Sequence, residues 1–168
     1  MSNVYPARIG AVLITTSAFA TLLCLGVAAL LYWQVAPRVA GGQWLWLPPA
    51  LLPLLCLPFV VRGYRIDGGT LWVRRLLHES GVDLGGLQAV EERPRAFAGL
   101  LRTFGNGGFY SFTGGYWGRE LGRARAYATD LGPGLLLRYA DRAIVLTPAD
   151  PAAMAARLRQ AAGLGRDR

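Results

Sequence analysis

Two stretches, residues 9–33 and 44–61, contain no charged side chain, and they restrict the folds open to this chain more than anything else in it. A helix needs roughly 20 apolar residues to cross ~30 Å of hydrocarbon, so both are long enough to be spans. The second is shorter and holds Pro48, Pro49, Pro53 and Pro58. Proline is tolerated in a membrane helix when neighbours satisfy the freed carbonyls, which predicts a kinked span packed on the first. One alternative is a buried helical hairpin of a water-soluble protein, but the 107 residues that follow offer little chain to cover it. Another is a cleaved leader, since Ala18-Phe19-Ala20 resembles a cleavage site. Only about eight apolar residues precede that site and the apolar run continues past it, so a retained segment is expected. The expected organisation is an N-terminal segment (1–8), a first span (9–33), a short external loop (34–43), a second span (44–61), a folded domain (62–163) and a tail (164–168).

The arginines set the orientation. Arg38 alone lies in the 34–43 connection, while Arg62, Arg65, Arg74 and Arg75 crowd the end of the second span. The positive-inside bias predicts an inner-membrane, multi-pass protein with its N-terminus and its C-terminal domain in the cytoplasm. Tyr32, Trp33, Trp44 and Trp46 flank the connection as an interfacial aromatic belt would. All eighteen basic residues are arginine. Lysine nucleophiles, Schiff-base lysines and a phosphate-loop lysine are therefore excluded. From residue 62 onward sixteen arginines face ten carboxylates, a net charge of +6 that favours anionic surfaces. Cys24 and Cys56 both lie in the apolar runs, as small packing residues rather than ligands.

After Val61 the apolar runs become short. "YRIDGGTLWVRRL" predicts two strands joined at Asp67-Gly68-Gly69, because such turns need positive φ. "GVDLGGLQAVEE" predicts a third strand, broken at Gly85-Gly86, and "PRAFAGLLRT" a short helical turn or an apolar loop against the membrane. Short strands are expected around residues 109–112 and 116–119. "RARAYATD" alternates, with Arg123, Arg125, Tyr127 and Thr129 on one face and three alanines on the other. "LLLRY" and "AIVL" are further strands. Thr147-Pro148-Ala149-Asp150 reads as the start of a C-terminal helix with Thr147 as its cap, and Pro151, Met154, Leu158 and Ala161 form its apolar stripe. The class is α+β, mainly β: about seven strands in a small barrel or two orthogonal sheets, closed at one end by a helix.

These segments resemble the bacterial pleckstrin-homology-like domains that form the cytoplasmic part of small membrane proteins. The resemblance runs from about Tyr64 to Leu158, carried by "YRIDGGTLWVRR", "RTFGNGGFYSFTGGY", "LGRARAYATD" and "LTPADP" in that order. It implies a strongly bent seven-stranded sheet capped by a helix, and binding close to a membrane, with no shared ligand or reaction to carry over.

The segment 104–123 holds seven glycines in twenty residues. A phosphate loop is closed off by the missing lysine, and a dinucleotide fingerprint fails because Tyr110 stands where its third glycine belongs. The glycines Gly107-Gly108 and Gly114-Gly115 are expected to bracket a short strand and to permit turns and bulges in a bent sheet. The competing reading makes Gly105, Asn106, Gly107, Gly108, Gly114 and Gly115 a loop for a peptide or small anion. His78 is expected to be an exposed turn residue, and adjacent Glu91-Glu92 point to opposite faces of a strand. No enzyme activity, metal or cofactor is expected. Two functions remain: a membrane-anchored scaffold that binds a protein partner, and a reader of anionic lipid surfaces through Arg62, Arg65, Arg74 and Arg75. Inositol-lipid-reading relatives of eukaryotes carry basic residues at the first hairpin turn, whereas the turn here is acidic at Asp67. Nucleic acid is not an expected partner, because the arginines are scattered and no recognition helix follows.

Overall fold

The computed structural model describes residues 3–164; residues 1–2 of the N-terminal segment and 165–168 of the expected tail lie outside it. Helix α1 (Ala11–Leu30) continues through a π turn to Val35, and a second helical stretch, Gly42–Phe59, contains α2 (Leu47–Cys56). At ~1.5 Å per residue these 25 and 18 residues reach ~37 and ~27 Å, enough to cross a membrane. The two helices pack on each other, yet Phe19, Leu22, Leu54 and Leu55 remain exposed. Pro53 sits inside α2 and has no N–H for the carbonyl one turn back, the predicted weak point of that helix. Tyr32 meets Trp33 and Trp46 edge-on at the far end of the hairpin.

The domain is mainly β, with a C-terminal helix, as expected, but it contains more strands than seven. One sheet runs β1 (Val4–Pro6), β2 (Val61–Asp67), β3 (Thr70–Arg75), β4 (Glu79–Asp83). The other has the order β5-β9-β10-β8-β7-β6, formed from β5 (Ala89–Arg93), β6 (Leu100–Gly107), β7 (Phe112–Gly118), β8 (Gly122–Ala128), β9 (Gly134–Arg138) and β10 (Ala143–Leu146). Neighbours are antiparallel except β8 and β10, which run parallel because the β9–β10 hairpin folds back and inserts β10 beside β8.

Several local expectations change. "GVDLGGLQAVEE" supplies the end of β4 and most of β5, in different sheets, and Gly86 (φ 79°) turns the chain between them. "PRAFAGLLRT" is a turn that runs into strand β6, because residues from Leu100 onward find backbone partners on β7. Residues 109–111 are the β6–β7 turn, and Gly114-Gly115 lie within β7 instead of flanking a strand. The cap of α3 (Pro151–Ala161) is Asp150, whose carboxylate accepts from the Ala153 N–H at 3.0 Å. Thr147 is buried instead, its hydroxyl accepting from the Thr129 N–H. Met154, Ala155 and Leu158 face the core, while Ala161 is exposed.

The hairpin at Asp67 forms as predicted, with Gly68 and Gly69 both at positive φ. The principal core lies between the sheets under α3, around Tyr64, Leu71, Val73, Leu135, Leu137, Leu146 and Leu158. Tyr64 is completely buried; its hydroxyl donates to the Tyr127 carbonyl (2.6 Å) and accepts from the Thr147 N–H (3.1 Å).

The N-terminal segment is part of this domain. Strand β1 pairs Tyr5 with Tyr64, and the chain then follows the domain edge, with Arg8 N–H donating to the Thr147 carbonyl and Gly10 N–H to that of Thr129. Arg8 also bridges to Asp130 at 3.0 Å.

Candidate functional site

The first site-forming device is the seat of the β6–β7 hairpin on α1. Ser17 and Thr21 lie one helical turn apart on α1, Thr16 stands beside them, and all three hydroxyls reach the hairpin. The Ser17 hydroxyl donates to the Gly108 carbonyl (3.1 Å) and accepts from the Tyr110 N–H (2.9 Å). The Thr16 hydroxyl also reaches the Gly108 carbonyl, at 2.9 Å. The Thr21 hydroxyl gives its proton to the Ser17 carbonyl, so the Tyr110 hydroxyl, 2.8 Å away, is the donor between the two. Tyr110 holds φ of 64°, a left-handed conformation that costs a non-glycine residue about 1–2 kcal/mol. The Asn106 amide ties the same turn through the backbone of Phe109. Leu13 completes the seat against Phe112 and Ala128.

Below this seat one face of β6, β7 and β8 runs from the core, where Thr113 and Tyr127 are buried, out to the exposed Trp117. Thr113 pairs with Tyr127, Gly115 with Arg125 and Trp117 with Arg123, so these residues share a face. A bulge between Arg102 and Phe104 shifts the alternation of β6 by one, which puts Leu101 and Phe104 on that face too. Gly105 and Gly114 lie where the two strands almost touch: a Cβ on Gly105 would stand 2.5 Å from the Thr113 carbonyl oxygen. Gly115 lies beneath the Phe104 ring.

At the end of this face next to the second helical stretch is a cleft of about 490 Å³. Cys56 and Phe59 line it from the end of the second helical stretch, Asn106 and Phe109 from the hairpin, and Arg75 and Arg125 from β3 and β8. Both guanidinium groups stack on Tyr127, their carbons 5.5 and 5.4 Å from its ring centre. Neither arginine has a carboxylate partner among the described residues. Arg75 Nε is buried without a hydrogen-bond partner, and another of its nitrogens lies 3.0 Å from His78 Nε2. Burial above all, and then the charge of Arg125, push the Arg75 guanidinium below its ordinary value, against the opposing influence of Tyr127. A larger apolar hollow of about 610 Å³ runs along α1 beside Val61 and Tyr110, with no charged residue in its lining.

The six loop residues thus divide. Gly105, Asn106 and Gly114 line the cleft; Gly107 and Gly108 form the seated end of the hairpin; Gly115 supports Phe104. The four arginines expected to meet a lipid surface divide as well. Arg65 pairs with Asp67 and Glu79, and Arg74 with Glu79, on the opposite sheet. Arg62 is exposed on β2, and Arg75 alone reaches the cleft. His78 is exposed between β3 and β4, as expected. Sequence reasoning missed Arg125 and Tyr127 as site residues, although the alternation of "RARAYATD" had placed them on one face. Among the described residues, His, Cys, Asp and Glu form no cluster of three that could hold a metal.

A bent β domain closed by a C-terminal helix, carrying an arginine-lined cleft and an open sheet edge, defines a small binding domain. Residues 62–162 match the family model of the bacterial PH domain, and the chain belongs to that family. No curated protein and no solved structure matches it. The match begins at β2, so β1 and both apolar helices lie outside the family's common domain.

Proposed function

We propose that this protein is a non-catalytic scaffold of the inner membrane that holds a protein partner at the cytoplasmic face, with both termini in the cytoplasm. The observation that carries this reading is the free edge of β6. That strand ends its sheet, and Leu101, Phe104 and Trp117, exposed at 71%, 68% and 47%, form one apolar patch along it. Unpaired backbone groups beside an apolar patch suit strand addition by an extended segment of a partner. Leu101 lies six residues back from the seated end of the hairpin, ~20 Å at strand spacing, which favours a protein over hydrocarbon as its cover.

The test is site-specific photocrosslinking of the full chain in native membranes, with the reactive group at positions 101, 104 or 117 and a control at Ala156 on the exposed face of α3. One discrete protein adduct shared by the three edge positions and absent from the control is expected. Adducts to lipid alone, or an identical pattern from position 156, would refute the scaffold reading. A second reading, a sensor of anionic lipid, draws support from the cleft at Arg75 rather than from Arg65 and Arg74, which carboxylates already engage.

A further inference from the structure

We propose that the cleft between β3, β8 and the end of the second helical stretch holds the phosphate of one anionic phospholipid, gripped by Arg75 and Arg125. This rests on the membrane placement proposed above and is independent of the β6 edge. Both arginines stack on one tyrosine ring, so two positive groups share a single small space. Like charges so placed repel each other, and no carboxylate relieves them among the described residues. A phosphate between them would supply the missing counter-charge and accept paired N–H bonds, a geometry that guanidinium groups favour. The unpartnered Nε of Arg75 is one such free donor.

The walls select the source of that phosphate. Phe59 and Cys56 end the apolar helix, and Phe109 comes from the hairpin seated on α1. The cleft therefore opens where the hydrocarbon-facing helix gives way to the domain, the level at which headgroups lie. Acyl chains would continue along the apolar residues of the helices, and the phosphate would meet the arginines. Inorganic phosphate would gain nothing from Phe59 or Phe109. The acidic hairpin turn at Asp67 takes no part, because it lies at the other end of β3.

The experiment uses the full chain in nanodiscs of mixed phosphatidylcholine and phosphatidylglycerol, with native mass spectrometry counting the lipids retained after gentle release. The unaltered chain is expected to retain one phosphatidylglycerol in preference to phosphatidylcholine. The pair Arg75→Gln with Arg125→Gln should reduce that preference roughly tenfold, as loss of charge-assisted bonds implies. The pair Arg65→Gln with Arg74→Gln removes the same charge elsewhere and should leave it unchanged. Equal loss in both pairs, or loss in neither, overturns the proposal. If the glutamine pair unfolds the chain, Arg125→Lys decides: it keeps the charge but loses the forked donors, and retention equal to the unaltered chain would overturn the assignment. Added inorganic phosphate should not displace the lipid; displacement would overturn a lipid as occupant. A chain that fails to enter nanodiscs would overturn the membrane placement, and this proposal with it. One that enters and shows no lipid preference overturns the cleft assignment alone.

Discussion

Replacing Ser17 with alanine should release the glycine hairpin from α1. The Ser17 hydroxyl is both the acceptor for the Tyr110 N–H and a donor to the Gly108 carbonyl. Without it the carbonyl keeps Thr16 as a possible donor, but Thr16 has one proton to give and its Oγ1 also lies 2.8 Å from the Val12 carbonyl oxygen. The Tyr110 N–H is left with no acceptor in a part-buried, apolar setting, at a cost of about 1–3 kcal/mol. The left-handed backbone of Tyr110 adds to the tendency to let go. An opening equilibrium shifted by that amount changes roughly 5- to 150-fold. Hydrogen exchange of the full chain in nanodiscs reads it directly, in peptides covering residues 104–112. The control is Thr15→Ala, since the Thr15 hydroxyl bonds only to carbonyls of its own helix. Exchange at Tyr110 unchanged in Ser17→Ala, or raised equally by Thr15→Ala, would refute the seat as the hairpin's anchor.

Three further outcomes are expected. Burial holds the Tyr64 phenol up at about 12, against about 10 in an unfolded chain, so its contribution is fully present below pH 10. As pH rises from 10 to 12 the unfolded chain loses this proton first, and stability should fall by about 2–3 kcal/mol, a slope that alkaline melts of Tyr64→Phe should lack. Gly63→Ala places a Cβ 2.7 Å from the Tyr5 carbonyl oxygen, so it should push β1 off β2 at a cost of about 1–3 kcal/mol and expose residues 3–8 to proteolysis; an unchanged cleavage pattern would contradict the pairing. Asp150→Ala removes the cap of α3 and should cost about 1 kcal/mol, whereas Asp150→Asn should restore most of the lost melting temperature.

Features that depend on local pattern could be read from the sequence. The uncharged runs show the helices, Asp67-Gly68-Gly69 shows the first hairpin, and the alternation around Arg125 shows a strand with one arginine-rich face. Features that depend on distant partners could not. Strand β1 is three residues long and exists because Tyr64 and Arg65 offer backbone partners about sixty residues later. Its residues carry no periodicity to reveal it. The bulge in β6 breaks the very alternation that would have marked Leu100–Gly107 as a strand, so its apolar start passed for a helical turn. Thr16, Ser17 and Thr21 are ordinary in an apolar helix, and only the hairpin laid across them turns them into ligands for a backbone turn. Thr147 and Asp150 both offer a capping oxygen; burial of Thr147 against Thr129 leaves the role to Asp150. The cleft combines residues from the second helical stretch, β3, β6 and β8, a convergence that pairwise spacing does not encode.

The pairing of Val4 with Arg65 on neighbouring strands has a consequence for how the molecule is made. Strand β1 leaves the ribosome before β2, and its partner follows only after the entire helical hairpin. Closing a floppy loop of that length in water would cost ~3–4 kcal/mol of chain entropy above its constant part. Once the two helices stand side by side, residues 8 and 61 are neighbours and most of that cost is already met. Assembly of the first sheet is thereby coupled to the packing of the helical hairpin. In the proposed membrane placement, a chain with one helix left out, or with its ends on opposite sides of the bilayer, cannot close its own edge strand. It leaves β2 with bare backbone groups, the kind of exposed edge by which cells' quality control and aggregation alike find a faulty protein.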